Sequence, residues 1–577
     1  MENMTRQGFL KATGAFAFAP FAGTLFAADE KPLFRMGVMT DTHVGKTMES
    51  CSRLRAALEL FKAKGVDMVV NNGDIADQFY PTGYRAIRET YSSVYPDANA
   101  RPREVWVYAW HDAIFFKKGA SFMDTPKYAH EAFEEARRLL EASDPVTTSF
   151  TFRGIPMVVF NQFESKETAE RMVAEAAAAN PGKPIFVFSH IPPHATVYNS
   201  WNWGHGDQRK LFDRYPQVVA FSGHIHGSLR NDLFIWQDKF TAINSGCLQR
   251  WDGLLANACP RNDKESYGVL TVDVYPSRLL VRRFDVRDGS EIDPENPWNV
   301  ALPFSRDAAR YTMARKKERA AVPEYPADAR LAVTPGADGS IPVSFPEVAG
   351  AARAFVHRAE IERRTEDGGW RRVSIRENFG DFYLRDPKKG QSIVFESGYF
   401  APGERVRLSV RPLNAYGAGG RALVAECVAP AVAGFASVLD VQGPVTGFPF
   451  VRADSPDKPL APNAEGFFRP FCTSLFLSLP EGAFAGPEGT RFRLVCDMRL
   501  RQSEDGGVWE LGLRDAKTNA VRVASVYSVE GDPGLLRYVF EFTQPKDASG
   551  SCKLTFGRGY ASSVRFERIR LDRKVPA

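Results

Sequence analysis

Phe34-Arg35-Met36-Gly37-Val38-Met39-Thr40-Asp41-Thr42-His43 is a short apolar run that ends in a carboxylate and an imidazole two residues apart. The apolar part predicts a buried strand over Phe34–Thr40, and the polar break at 41–45 predicts its exit loop. Leu54, Ala57, Leu58 and Phe61 then recur at i, i+3, i+4 and i+7, one face of a helix. Val66–Val70 repeats the strand and runs into Asn71-Asn72-Gly73-Asp74. The same rhythm predicts strands at Val105–Tyr108, Ser149–Phe152, Pro156–Phe160, Pro184–Phe188 and Val218–Phe221, with helices at 127–142 and Lys166–Ala179. Strand then helix, repeated, predicts a layered α/β domain.

Polar residues cluster where these strands end. Asp41 and His43 follow the first, Asp74 the second, His111 the third, His190 the strand ending at Phe188, and His224 with His226 the strand ending at Phe221. In open α/β sheets ligands gather at the carboxyl ends of strands, so one cleft can collect all of these groups. Singly, an Asp here caps the next helix or a His fills a turn. Together, five strand ends bearing metal-type donors predict a metal cleft. His130 and His194 are expected to be structural, on a helix and in a loop.

Asp41-x-His43, Gly73-Asp74-x-x-Asp77, His111-Asp112, His190 and Gly223-His224-x-His226, in that order, resemble the motif set of the calcineurin-like metallophosphoesterases. The resemblance covers residues 32–304 and implies an α/β, four-layer αββα sandwich holding two divalent transition-metal ions, Mn, Fe or Zn. It implies that one ion takes Asp41, His43, Asp74 and His226, and the other Asp74, His190 and His224. A carboxylate suits the shared position, because it can bridge two cations and offset their repulsion. His111 is then the general acid, with Asp77 and Asp112 orienting imidazoles or loops.

One position departs from the family. Where an asparagine ligand normally precedes the general acid, this chain has Ala109-Trp110-His111-Asp112. Tryptophan offers only an N–H donor and no lone pair for a cation. Three outcomes are open: water or a neighbour such as Asn72 completes the second site, one tight ion suffices, or activity is lost. Trp201, Trp203 and His205, in the loop before the final histidine pair, are candidates for substrate contact, against the alternative of a loop packed by its own tryptophans.

The 577 residues suggest three or four units. A net charge of +5, spread over this length, disfavours a nucleic-acid partner. Residues 1–28 resemble a twin-arginine export signal, with Gln7 in place of the second arginine, which predicts a periplasmic or secreted protein. The seven cysteines include no C-x-x-C, and a bridge such as Cys472–Cys496 is left open. Residues 305–321, with the run Arg315-Lys316-Lys317-Glu318-Arg319, read as a solvated linker or helix end. Two all-β sandwich domains follow: residues 322–430 resemble a fibronectin type III module, and residues 431–577 are expected to form a jelly-roll-like sandwich similar to carbohydrate-binding modules. The expected function is an exported metal-dependent phosphoesterase acting on a phosphorylated small molecule, glycan or lipid, with cell-surface or glycan contact through the β modules. The alternative is an extracellular binding or scaffold protein whose phosphoesterase domain is weak or inactive.

Overall fold

The computed structural model describes residues 30–574 except 46–47, 120–121, 201–203, 250–266, 351, 384–390, 431–433, 446–449, 453–454, 469–474, 479–486, 502–506, 516–520, 530–533, 545–551 and 558–562. The expected export segment, Trp201, Trp203, Cys259 and Cys472 lie outside the described residues. Among the described residues no helix is long and apolar enough to cross a membrane.

In chain order the first unit comprises β1 (Phe34–Met39), α1 (Met48–Ala63), β2 (Met68–Asn71), α2 (Pro81–Val94), β3 (Arg103–Trp106), α3 (Ala129–Leu139), β4 (Thr148–Phe152), β5 (Ile155–Val159), α4 (Lys166–Ala179), β6 (Ile185–Phe188), α5 (Gly206–Phe212), β7 (Val218–Ser222), β8 (Ile235–Gln237), β9 (Thr241–Asn244), β10 (Gly268–Val274), β11 (Arg278–Asp285), β12 (Glu291–Ile292) and β13 (Trp298–Ala301). One sheet has the order β12-β11-β10-β1-β2-β3, with β13 also on β11, and the other β4-β5-β6-β7-β9-β8. β1, β2 and β3 are parallel, as are β5, β6, β7 and β9. Parallel strands covered on both faces lack polar alternation, and β2, β5, β6 and β7 are buried at every residue.

The two sheets meet through Val38, Val70 and Val105 from one side and Val159, Phe186 and Phe221 from the other. α1, α2 and α3 cover the outer face of the first sheet through Leu54, Phe61, Ile87 and Phe133. α4 and α5 cover the second through Met172 and Phe212. The result is the expected helix–sheet–sheet–helix layering. α2 went unpredicted, although its buried Tyr84, Ile87, Tyr91 and Val94 keep helical spacing.

The basic run after this unit departs from expectation in its burial. Met313–Arg319 forms a short helix, α6, and Lys316 within it is buried rather than solvated. Its ammonium donates to the carbonyls of Asp232, at 2.9 Å, and Ile235.

Beyond α6 the described structure is almost entirely β. β14 (Ala332–Val333), β15 (Ile341–Phe345), β16 (Val356–Arg364), β17 (Trp370–Phe379), β18 (Gln391–Phe395), β19 (Arg405–Leu413) and β20 (Leu423–Val428) form a three-stranded and a four-stranded sheet. Val343 and Phe395 from the first sheet share one core with Ile361 and Leu408 from the second. The last unit contains β21 (Phe435–Gln442), β22 (Phe450–Arg452), β23 (Ser455–Pro459), β24 (Leu475–Ser478), β25 (Arg491–Arg501), β26 (Gly507–Asp515), β27 (Val521–Val529), β28 (Leu535–Thr543), β29 (Cys552–Gly557) and β30 (Ser563–Lys574), in sheets of four and six strands. Cys496 is a buried free thiol in its core, and Cys472, the other half of the candidate bridge, lies outside the described residues.

The units are joined by specific contacts. Arg353 makes two hydrogen bonds of 2.7 Å to Asp293, and Tyr383 donates to Asp232 Oδ2 at 3.0 Å. Val495 and Val539, from the last unit, are built into the core of the middle one.

Candidate metal centre

The carboxyl ends of β1, β2, β3, β6 and β7 are laced together. Asp41 N–H donates to the Gly73 carbonyl at 3.0 Å, His43 N–H to that of Asp74 at 3.1 Å, and Gly223 N–H to that of His190 at 2.9 Å. Asp41, His43, Asp74, His224 and His226 all hold a positive φ, between 42° and 68°. Non-glycine residues rarely adopt that region, and each such position costs about 1–3 kcal/mol. Strain is thus concentrated in the loops that carry these side chains.

Close packing dictates the glycines here. A Cβ on Gly223 would lie 1.9 Å from Thr40 Oγ1 and 2.8 Å from Asp41 Oδ2, and one on Gly73 would lie 2.6 Å from His190 Nδ1. The turns press directly on the side chains they present.

Three groups of donor atoms converge, each with atoms within 4.8 Å of one another: Asp41, His43, Asp74 and His226; Asp74, His190 and His224; and His43, Asp77 and His111. Asp41 Oδ2 accepts from Thr40 Oγ1 at 2.8 Å and from His224 N–H at 3.0 Å, which turns Oδ1 toward His226 Nε2 at 2.8 Å. Asp74 Oδ1 accepts from His111 N–H at 3.1 Å, while Oδ2 lies 3.0 Å from His190 Nε2 and 3.9 Å from His43 Nε2. Asp74 therefore stands between the first two groups. Asp77 Oδ1 lies 3.5 Å from His43 Nδ1 and 3.3 Å from His111 Nδ1.

The arrangement calls for positive charge. His226 Nδ1 faces the Gln249 carbonyl at 2.6 Å and His190 Nδ1 faces that of Asn72 at 3.0 Å. A carbonyl only accepts, so each Nδ1 carries the proton and the neutral ring presents its Nε2 lone pair. Those lone pairs confront carboxylate oxygens at 2.8 and 3.0 Å, a repulsive pairing unless a cation or further proton intervenes. Asp41 Oδ1 and His190 Nε2 are buried without a hydrogen bond of acceptable geometry. Burial pushes His43 down to about 4 and His224 down to about 3, which keeps both rings neutral. Burial opposes charge on Asp41, but His226 and His190 outweigh it and hold the carboxyl at about 2. Burial likewise opposes charge on His190, yet Asp74 and Asp41 raise it to about 9. Two ionised carboxylates that hold a proton on His190, beside the neutral rings of His43 and His224, make a donor set that fits divalent transition metals, which would take that proton's place.

Residues 34–228 match the calcineurin-like phosphoesterase family model. This segment is a calcineurin-like phosphoesterase domain. Among solved structures, a dimetal phosphatase from Danio rerio aligns at 12% identity over 48% of this chain and 100% of its own, with a TM-score of 0.33. A purple acid phosphatase from yellow lupin, Lupinus luteus, aligns at 13% identity over 46% of this chain and 53% of its own, with a TM-score of 0.33. The CBM22 tandem domain of Xyn10C from Paenibacillus barcinonensis aligns at 9% identity over 43% of this chain and 92% of its own, with a TM-score of 0.17. None of the three is close enough to assign an activity. No curated protein matches the chain.

The remaining expected residues of the phosphoesterase domain take distinct places. Asp112 is buried beneath the turn that carries Trp110 and His111, where Oδ1 accepts from Ile75 and Ala76 N–H at 3.0 Å and Oδ2 from Ala109 N–H at 3.0 Å. Burial, with Asp74 nearby, pushes its carboxyl up to about 7. Trp110 packs on Phe163 at a ring separation of 5.2 Å, and its main-chain N–H donates to Gln162 Oε1 at 2.8 Å. His205 caps α5, accepting from Gln208 N–H at 3.4 Å. The carbonyls of Asn72 and Gln249 were missed in the sequence, where nothing marks a main-chain acceptor that faces an imidazole.

Proposed function

We propose that the chain is an exported, metal-dependent phosphoesterase that hydrolyses a phosphomonoester or phosphodiester. The observation that carries the reading is the pair of donor groups sharing Asp74. Asp41, His43, Asp74 and His226 would hold one divalent ion, and Asp74, His190 and His224 a second with fewer protein ligands. Such ions supply Lewis acidity toward water and phosphoryl oxygens.

The chain's own groups do the rest. Asp77 Oδ1 lies 3.3 Å from His111 Nδ1, so its charge favours a proton on that side of the ring and leaves Nε2 to donate a proton to the departing alcohol. Burial lowers the tendency of His111 to hold a proton, but Asp74 and Asp77 reverse this and raise its pKa. Its side chain keeps 20% of its exposure, whereas His43 and His190 are fully buried, so substrate reaches His111. The middle and last units are proposed as fibronectin type III-like and jelly-roll-like modules that contact a glycan or cell surface.

Metal content and hydrolysis of a generic aryl phosphate test the reading in wild type and Asp74→Asn. Wild type is expected to retain up to two ions and turn over, while Asp74→Asn loses metal and at least ~10³ in rate. A wild type that binds no metal would instead favour a binding or scaffold role.

A further inference from the structure

Resting on the metal-centre reading above, we infer that Arg53 is a positioning residue for the ligand His226, acting through Gln249. Arg53 lies on α1 and is only 9% exposed. It donates from Nη2 to Gln249 Oε1, and its guanidinium lies 4.5 Å from the centre of the Tyr267 ring. Its acidic partner among the described residues, Glu49, is 3.5 Å away with a side chain 81% exposed. An exposed partner at that distance contributes little. Arg53 Nε is buried without a hydrogen bond.

As a stabilising device this is poor, because a cation has left water for a neutral amide, a ring face and a solvated carboxylate. What it does accomplish is to hold Gln249. The Gln249 side chain is gripped by Arg53, and its main-chain carbonyl accepts from His226 Nδ1 at 2.6 Å. The adjacent Leu248 N–H is tied to the Thr40 carbonyl at 3.1 Å, next to Asp41. Fixing that carbonyl fixes the His226 tautomer and ring angle, and so the direction of Nε2 toward Asp41 Oδ1.

The test is titration of metal-free full-length protein with Mn(II), comparing wild type, Arg53→Met, Arg53→Lys and Gln249→Ala. Arg53→Met and Gln249→Ala are expected to weaken the tight Mn(II) site about 10- to 100-fold, the usual effect of losing an outer hydrogen-bond partner. Arg53→Lys, which keeps a donor, should restore most of the affinity. At saturating Mn(II) the KM for an aryl phosphate should stay near wild type. Unchanged Mn(II) affinity in a folded Arg53→Met or Gln249→Ala protein overturns the inference. So does weaker inhibition by inorganic phosphate with unaltered Mn(II) binding, which would place Arg53 on the substrate. Should Arg53→Met fail to fold, Gln249→Ala decides alone. A wild type that binds no Mn(II) refutes the metal-centre reading before any substitution is compared.

Discussion

Asp112 shows how a residue outside the donor groups controls them. Its two oxygens tie the Asp74 loop, through Ile75 and Ala76, to the turn that presents His111, and Tyr84 adds a hydroxyl at 3.1 Å. Asp112→Asn would turn an amide N–H₂ onto a backbone N–H, at a cost of about 1–3 kcal/mol. The expected result is a lower melting temperature and a kcat reduced at least ~10-fold with metal content retained, because no proposed ligand is touched. Elemental analysis beside kinetics checks it. At this scale the donors were legible, since Asp and His at strand ends stand out against apolar runs. The positive φ values of five of them were not legible, because they follow from loops laced across two sheets and distant in sequence.

Among the elements, strands were read well where an apolar run stops at a polar turn, as at β1, β5, β6 and β7. α2 escaped because Pro81, Thr82 and Gly83 open it with weak local helix preference. Gly83 has a reason that only the fold reveals: a Cβ there would lie 2.8 Å from the carbonyl of Val44, just beyond His43. α2 passes too near the Asp41–His43 loop for a side chain at that point. The turn after β7 is tighter still. Gly223→Ala would drive a methyl into Thr40 and Asp41, and overpacking of this kind costs about 1–3 kcal/mol. The variant is expected to fold with a reduced melting temperature and to lose metal binding, as both groups donating to Asp41 Oδ2 shift. A calorimetric Mn(II) titration at wild-type affinity would refute this.

Across the whole molecule, alternating and β-rich texture disclosed the order of units but not how they join, because docking uses isolated polar residues such as Lys316 that resemble surface. Burial pushes the Lys316 ammonium down to about 7. Between about pH 7 and 10 the unfolded chain therefore holds a proton here that the folded chain releases, so stability rises with pH. The unfolding free energy of wild type minus that of Lys316→Met should grow across this window, by at most about 1.4 kcal/mol per pH unit. Urea melts at several pH values test the slope, and a flat difference would show that Lys316 stays charged when folded.

Val495 and Val539 carry a further consequence for how the chain can be divided. They sit on β25 and β28, yet they complete the core around Val343, Ile361 and Val406. A gene fragment stopped near residue 430, where strand counting would place a boundary, encodes a sandwich with an open seam. Such a fragment is expected to be sticky and readily digested, so recombinant work on the middle module has to carry its C-terminal neighbour along.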